Sequence, residues 1–130
     1  MDNVKRVLGN DRFAAYVGIE LVDLGPGHAR ARMTLGERHL NGIGIAHGAA
    51  IFSLADFTFA AASNSHGTVA VAINANISFL KAISSGILTA DAREVSINPK
   101  LATYAIDIKD ETGDLVASFQ GMVYRKKDPL

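Results

Sequence analysis

One aspartate and one histidine–glycine pair are the residues in this sequence whose types and spacing could do chemistry. Asp56 stands inside residues 49–62, a helix-forming stretch that is apolar on almost every side. Such a helix is expected to be buried, and a buried carboxylate needs a partner, a shifted pKa or a chemical role. His47 and Gly48 come just before it, so Gly48 should present a free N–H at the positive end of the helix dipole. A carboxylate and a donor for an oxyanion together suit reactions at a carbonyl group.

The spacing of these groups indicates how they could meet. Asp56 follows Gly48 by eight positions, and at about 1.5 Å per residue they lie roughly 12 Å apart along one helix. One carbonyl group therefore cannot contact both when both come from the same helix. Two chains packed with these helices antiparallel would bring Asp56 of one chain close to Gly48 of the other. The spacing predicts an active site shared across a dimer.

Length and composition limit the class of protein. The 130 residues fit one domain, residues 1–130, and the 48% of hydrophobic residues predict a globular chain. Lysine plus arginine number 13, as do aspartate plus glutamate, so no net charge favours nucleic acid or an anionic membrane. The chain has no cysteine, which excludes disulfides, thiolate metal sites and a cysteine nucleophile. The first residues lack an apolar signal core, and we expect a cytoplasmic location.

The elements that must position these residues are one helix and several strands. The apolar spacing of residues 4–16 predicts a helix that is broken at Gly9-Asn10, and residues 19–24 and 28–35 predict a hairpin. Four more strands are predicted over residues 69–80, 87–97, 102–108 and 115–125, with a polar tail over 125–130 that we expect to fray. Sequential strands with short turns predict an antiparallel sheet, which could curve around the apolar helix.

These residues resemble a known family. The motifs that carry the resemblance are, in chain order, Asn41-Gly42, His47-Gly48, Leu54-Ala55-Asp56, Ala60-Ala61-Ala62-Ser63-Asn64 and Ser78-Phe79-Leu80-Lys81. Together they are similar to the hot-dog fold acyl-CoA thioesterases of the phenylacetate-degradation (PaaI-like) type, over nearly the whole chain. The resemblance implies an α+β fold in which a curved antiparallel sheet wraps around one long central helix. It also implies acyl-CoA as the substrate, no further cofactor, and a homodimer or a homotetramer of paired dimers.

The resemblance implies a role for each residue around the helix start. Asp56 would act as a general base on water or attack the thioester itself, and the sequence leaves both open. A structural alternative is that Ser53, Thr58 or a backbone amide satisfies the carboxylate. The Gly48 N–H would polarise the thioester carbonyl, although Ala49 stands where relatives often have a second glycine.

Asn41 and His47 each have a structural and a catalytic interpretation. Asn41 either favours the turn with Gly42 or lines the site to place substrate or water, and we weigh these evenly. His47 more often holds the loop by bonding backbone groups, and a direct acid role is the less favoured interpretation.

Candidate substrate contacts lie further along the chain. Phe52, Phe57 and Phe59 are chiefly core or interface residues, and one of them, for which we take Phe57, is expected to wall a pocket for an aromatic or medium-chain acyl group. Asn76 is a candidate substrate contact on a strand face that is otherwise ordinarily polar. Lys81 and Lys100 are expected to contact the CoA phosphates, although Ala82 replaces the proline that relatives often have after Lys81. His28, His39 and His66 lack metal-ligand spacing, so we expect no metal site.

Two alternative functions use the same fold. A hydratase would pair the aspartate with a histidine a few residues later, but the next histidine is His66, which is too far along the helix. A non-catalytic acyl-CoA-binding module is the other alternative, and such a module has no reason to keep a carboxylate beside an apolar acyl chain.

Overall fold

One long helix and a six-stranded antiparallel sheet make up most of the molecule. The computed structural model describes residues 1–130. Its elements are α1 (Asp2–Gly9), α2 (Arg12–Val17), β1 (Ile19–Gly25), β2 (His28–Thr34), a 3-10 turn (Glu37–His39), α3 (Gly48–Asn64), β3 (Thr68–Phe79), β4 (Ile87–Ile97), β5 (Leu101–Lys109) and β6 (Leu115–Pro129). None of the helices is long and apolar enough to cross a membrane.

The sheet curls around α3. Its strand order is β1-β2-β4-β5-β6-β3, with every neighbouring pair antiparallel. Helix α3 contacts all six strands, which requires the sheet to bend around it. Because α3 connects β2 to β3, the chain crosses from one side of the sheet to the other, and β1 and β3 become its two edges. This is the architecture that the sequence predicts.

Small residues on the inner face of the sheet let α3 approach closely. Strand β2 alternates exposed and buried positions, and its buried side chains are Ala29, Ala31 and Met33. Larger groups fill the middle of the core, where Phe59 of α3 packs against Tyr104 and Phe119 with ring centroids 5.8 and 5.5 Å apart. Alternation of period two on the strands thus supplies a continuous apolar surface for the helix.

The N-terminal helix is broken where the sequence predicts it. Helix α1 ends at Gly9, and Asp11 caps α2 by accepting a hydrogen bond of 2.9 Å from the Ala14 N–H. Gly18 ends α2 with a φ of 91°, a left-handed conformation that glycine adopts without strain. The hairpin of β1 and β2 follows at once, which places α2 beside α3.

Two predictions are wrong, one that the C-terminal tail frays and one that α3 is buried on every side. The tail does not fray, because β6 continues to Pro129, which is paired with Thr68, and the Leu130 N–H donates to the Gly67 carbonyl at 3.0 Å. Helix α3 is not covered all round by its own chain either. A stripe at helical spacing stays exposed or half-exposed, because the sheet surrounds only part of the helix; its members are Ala49, Phe52, Ser53, Asp56 and Ala60.

Candidate active site

The start of α3 presents a backbone N–H that no group in the chain accepts. His47 is the N-cap, and its Nδ1 accepts a hydrogen bond of 2.9 Å from the Ala49 N–H. Its own N–H donates to the His39 carbonyl at 2.7 Å, which holds the loop against the 3-10 turn. The Gly48 N–H has no acceptor among the backbone and side-chain hydrogen bonds. It is therefore free to bind a carbonyl oxygen at the positive end of the helix dipole.

The Nδ1 atom of His47 thus has a structural role, since it caps the start of α3. Accepting from the Ala49 N–H requires Nδ1 to be unprotonated, so the neutral ring carries its proton on Nε2. The side chain is exposed and lines a cleft of about 310 Å³ between α2 and α3. This geometry agrees with the interpretation that His47 holds the loop. Only Nε2 could still act as an acid.

Asp56 lies on the exposed stripe of α3 and has no hydrogen-bond partner in its own chain. The prediction that Asp56 is buried is therefore wrong for the single chain, and neither Ser53 nor Thr58 satisfies it, since both hydroxyls donate to helix carbonyls. Neighbouring groups still remove enough water to raise the pKa of the Asp56 carboxyl, and the negative charge of Asp11 raises it further.

Asp56 and Gly48 open onto different clefts. Asp56 lines a cleft of about 250 Å³ between α2 and α3, together with Asp11, Phe13, Phe52 and Phe57. Gly48 lines another of about 390 Å³, bounded by Asn41, Ile51, Phe79 and the loop that follows β3. A single chain therefore does not place the carboxylate and the free N–H around one ligand.

Asn41 joins the Gly48 cleft while its oxygen holds the loop. Its Oδ1 accepts hydrogen bonds from the Ile43 N–H at 3.1 Å and the Ile45 N–H at 3.2 Å. Its Nδ2 donates to nothing in the chain, and the residue borders the same cleft as Gly48. The two interpretations of Asn41 are thus compatible, because each uses a different atom of the amide.

The two lysines occupy opposite ends of the sheet. Lys81 Nζ donates to Asp110 at 2.6 Å and to Asp114 at 2.8 Å, in the turn after β5. Lys100 lies in the turn before β5, and the nine residues of β5 span about 30 Å. Within one chain they cannot contact the same phosphates, so any joint role requires them to come from different chains. The hydrogen bonds to Asp110 and Asp114 raise the pKa of Lys81 and leave its charge already compensated.

Comparison with known proteins decides the family. The family model described as the Thioesterase superfamily matches residues 43–117. The chain belongs to the thioesterase superfamily. It is 36% identical over 124 residues to the acyl-coenzyme A thioesterase PaaI of Escherichia coli, covering 95% of this chain and 89% of that protein. It is 40% identical over 117 residues to an esterase of Archaeoglobus fulgidus, covering 89% of this chain and 76% of that protein.

Solved structures of related proteins share the fold of this thioesterase. The E. coli PaaI structure superposes with a TM-score of 0.94 at 34% identity, over 98% of this chain and 94% of that chain. The TT0310 protein of Thermus thermophilus superposes with a TM-score of 0.86 at 36% identity, over 90% of this chain and 99% of that chain. The resemblance to PaaI-like proteins and the hot-dog fold are thereby confirmed, and the chain is a thioester hydrolase.

Two predicted substrate contacts have different positions in this thioesterase. Phe57 is buried but lines the cleft of Asp56, and its contact with an acyl group stays a prediction. Asn76 is paired with Gln120 in the sheet and shares its outer face with Gln120 and Met122. The side-chain alternation of β3 directs Asn76 away from the helix, which agrees with an ordinary polar face, and a contact of Asn76 with substrate stays a prediction.

The structure adds three residues to the candidate site of the thioesterase. Asp11 and Phe13 come from α2 and line the cleft of Asp56, and Phe79 comes from the end of β3 and lies against Gly48. No local motif indicates these residues, because each is brought to the site by packing between elements that are far apart in sequence. No three histidine, aspartate or glutamate side chains come together as a metal site.

Proposed function

We propose that this thioesterase hydrolyses an acyl-CoA, at a site formed by Gly48 of one chain and Asp56 of the partner subunit in a homodimer. The observation that carries the proposal is a pair of unused groups on α3, one at the start of the helix and one on its exposed stripe. The Gly48 N–H and the Asp56 carboxylate have no partners in their own chain, and they open onto different clefts. A second, antiparallel α3 packed on the stripe would bring each group to its counterpart.

Strand β3 supports the dimer. It is an edge strand of 12 residues without a charge or a proline, although its pairing with β6 is irregular between Thr68 and Ala70 and between Ala72 and Asn74. Exposed apolar residues continue along it, among them Val71, Ile73 and Phe79. An edge of this kind is expected to pair with another strand, and a second copy of β3 would extend the sheet while covering the stripe of α3.

The proposed reaction uses the two groups in turn. The thioester carbonyl oxygen accepts a hydrogen bond from the Gly48 N–H, which stabilises the charge that develops on it. The ionised Asp56 of the partner subunit removes a proton from water, and the hydroxyl adds to the carbonyl carbon. Collapse of the oxyanion breaks the carbon–sulfur bond, and the proton goes to the CoA sulfur. If Asp56 attacks directly, water then cleaves the mixed anhydride to the same products. Neither route needs a metal or a further cofactor.

The lining of the Asp56 cleft indicates the acyl group. Phe13, Phe52 and Phe57 surround it, and no cationic side chain lines it. Aromatic walls bind flat or extended apolar groups, while two carboxylates repel an acyl group that ends in a negative charge. We therefore propose an aromatic or medium-chain acyl group. CoA as the thiol is supported by the name of the E. coli relative.

The hydratase alternative is less well supported. His66 lies beyond the end of α3, where its Nε2 is 2.7 Å from Glu94 Oε1. It is neither close to Asp56 along the helix nor free of a partner. A non-catalytic binding module is opposed by the unpaired carboxylate of Asp56 in an aromatic cleft.

Hydrolysis of an acyl-CoA panel by wild type and Asp56→Asn tests the proposal. The amide keeps the shape but removes both the base and the nucleophile, so turnover should fall by on the order of 100-fold or more. Asp107→Asn, which removes a carboxylate from β5 away from both clefts, is the control and should retain turnover. Wild-type turnover in a folded Asp56→Asn protein would refute the assignment, and wild type inactive on every acyl-CoA would refute the function.

A further inference from the structure

Phe79 is an exposed aromatic residue placed against the start of α3. It is the last residue of β3, and 53% of its surface is exposed. A Cβ built on Gly48 would lie 3.2 Å from its Cζ, 3.5 Å from Cε1 and 3.7 Å from Cε2. These three atoms form the tip of the ring, and the two Cε atoms are almost as close as Cζ, so Phe79 presents the face of its ring tip to Gly48 rather than its edge. Its position is fixed from both sides, because Phe79 is paired with Ala117 and the next N–H, of Leu80, donates to the Val116 carbonyl at 2.8 Å.

This placement affects the only free donor at the helix start. An apolar ring beside an N–H keeps water away from it, and a hydrogen bond to a developing oxyanion is stronger in the lower dielectric that results. The face of an aromatic ring is the negative part of its quadrupole, so a developing oxyanion is disfavoured over the ring and is directed to the open side of Gly48. Asn41 and Ile51 line the same cleft, and most of its other lining residues are apolar, so the ring extends an apolar wall beside Gly48.

We propose that Phe79 is a positioning residue for thioester hydrolysis: its ring tip shields the Gly48 N–H from water and fixes the side on which the thioester carbonyl binds. The inference rests on the proposed function of Gly48 and adds to it a residue from another element. A purely structural account, in which Phe79 only contributes apolar surface to a dimer, makes different predictions for the variants below.

The test is a double-substitution cycle between positions 48 and 79, with kcat and KM measured on an acyl-CoA that wild type hydrolyses. Phe79→Ala should lower kcat by on the order of 10-fold with a smaller change in KM, because shielding acts chiefly in the transition state. Gly48→Ala keeps the N–H but adds a methyl group that must displace the ring tip by a few tenths of an ångström. The three atoms nearest to that methyl group all belong to the Phe79 ring, so removing the ring relieves its closest contacts. The activity loss of the double variant should therefore be smaller, by about threefold or more, than the product of the two single losses.

Leu80→Ala is the matched control. Leu80 is the next residue, is 56% exposed and lines the same cleft. The loss of kcat in the Leu80→Ala, Gly48→Ala double variant should equal the product of the two single losses. Phe79→Leu keeps an apolar side chain for any dimer contact but removes the ring tip, and sedimentation shows whether each variant stays dimeric. If Phe79→Ala is monomeric, the dimeric Phe79→Leu replaces it in the cycle.

The outcomes separate the inference from the function on which it rests. Coupling between positions 48 and 79, without coupling between 48 and 80, supports the role of Phe79. Two outcomes overturn the inference alone, provided that wild type is active. One is a dimeric Phe79 variant whose kcat is within about twofold of wild type, and the other is a double variant whose loss equals the product of the losses at positions 48 and 79. A wild type that hydrolyses no acyl-CoA overturns both.

Discussion

Asp56 carries a charge that nothing in its own chain compensates. Loss of hydration first, and the charge of Asp11 second, raise the pKa of its carboxyl above the ordinary value of 3.8. A folded-state pKa above the unfolded one means that the folded chain holds the proton more tightly. Stability therefore falls as the pH rises from the unfolded pKa through the folded pKa. The chain keeps a carboxylate that is mildly unfavourable for folding, as expected of a residue retained for chemistry.

Asp11→Asn tests this environment. The asparagine keeps an oxygen to cap α2, because asparagine is as good an N-cap as aspartate. It removes one negative charge from the cleft, so the pKa of Asp56 should fall. Both candidate mechanisms need Asp56 ionised, and the acid limb of kcat/KM against pH should therefore move to lower pH. An acid limb that stays in place, in a folded and active variant, would show that Asp11 does not act on the catalytic group.

At the scale of elements, the loop between β3 and β4 is held by Lys81 on one side and by the backbone on the other. Lys81 joins the loop to Asp110 and Asp114 in the turn between β5 and β6. The Ala46 N–H donates to the Ile83 carbonyl at 2.7 Å, which ties the same loop to the residues before α3. The loop forms a wall of the Gly48 cleft. Lys81 therefore has a structural task at the site, whether or not it also contacts CoA.

The separation of the two lysines predicts different kinetic effects. Lys81→Ala should reduce turnover of an acyl-CoA and of a short pantetheine thioester alike, because it loosens the wall of the cleft. Lys100→Ala should raise KM for the acyl-CoA by a few-fold and leave the pantetheine thioester unaffected, because only CoA carries the nucleotide phosphates. Steady-state kinetics on both substrates measure this. A loss confined to the acyl-CoA in Lys81→Ala would instead assign the phosphate contact to Lys81.

The packing of α3 on β6 predicts a sensitive glycine. A Cβ on Gly121 would lie 2.6–2.8 Å from ring atoms of Phe59, which is fully buried between Tyr104 and Phe119. Gly121→Ala should therefore destabilise the chain by about 1–3 kcal/mol, as overpacked core substitutions do. Urea denaturation measures the change. Gly9→Ala is the control: nothing lies within 4 Å of its Cβ, and alanine suits a helix better by up to about 1 kcal/mol. Equal stabilities for the two variants would contradict the close packing of Phe59.

At the scale of the whole molecule, the exposed stripe of α3 and the uncharged edge of β3 lie on the part of the molecule that its own sheet does not cover. In the proposed dimer, the packing of a second chain would complete the site and bury this surface at the same time. The proposal implies that a monomer retains Gly48 and Asp56 but has no complete site.

Mixed dimers test the shared site. Gly48→Pro removes the donor N–H, and the helix should tolerate it, since proline suits the first helical position and His47 has φ −64° and ψ 137°, which a following proline allows. Gly48→Pro and Asp56→Asn should each be nearly inactive alone. After co-refolding, half of the dimers are mixed and hold one intact site of two, so activity should return to about a quarter of wild type.

Each variant refolded alone is the control for this experiment, and mass spectrometry reports whether mixed dimers form. Mixed dimers without recovered activity would place both groups of a site in one chain.

The sequence by itself determined the features that depend on local spacing. Period-two alternation predicted the strand over residues 28–35, and Gly9-Asn10 predicted the break between α1 and α2. The eight positions from Gly48 to Asp56 separated the two candidate groups along one helix. These hold because repeat distances along a helix or strand are set by backbone geometry alone. The motifs around Asn41, His47 and Asp56 likewise predicted the family, since they lie close together in the chain.

Only the tertiary structure decided which surfaces are covered and which charges meet. Apolar composition on every side of α3 predicted burial, yet the sheet leaves one stripe open, because coverage depends on strand order. The long-range contacts of Lys81 with Asp110, of Phe79 with Gly48 and of Asp11 with the cleft of Asp56 have no local pattern. The polar tail is a strand because β3 lies beside it, since a backbone ladder can order residues whose side chains carry no apolar signal.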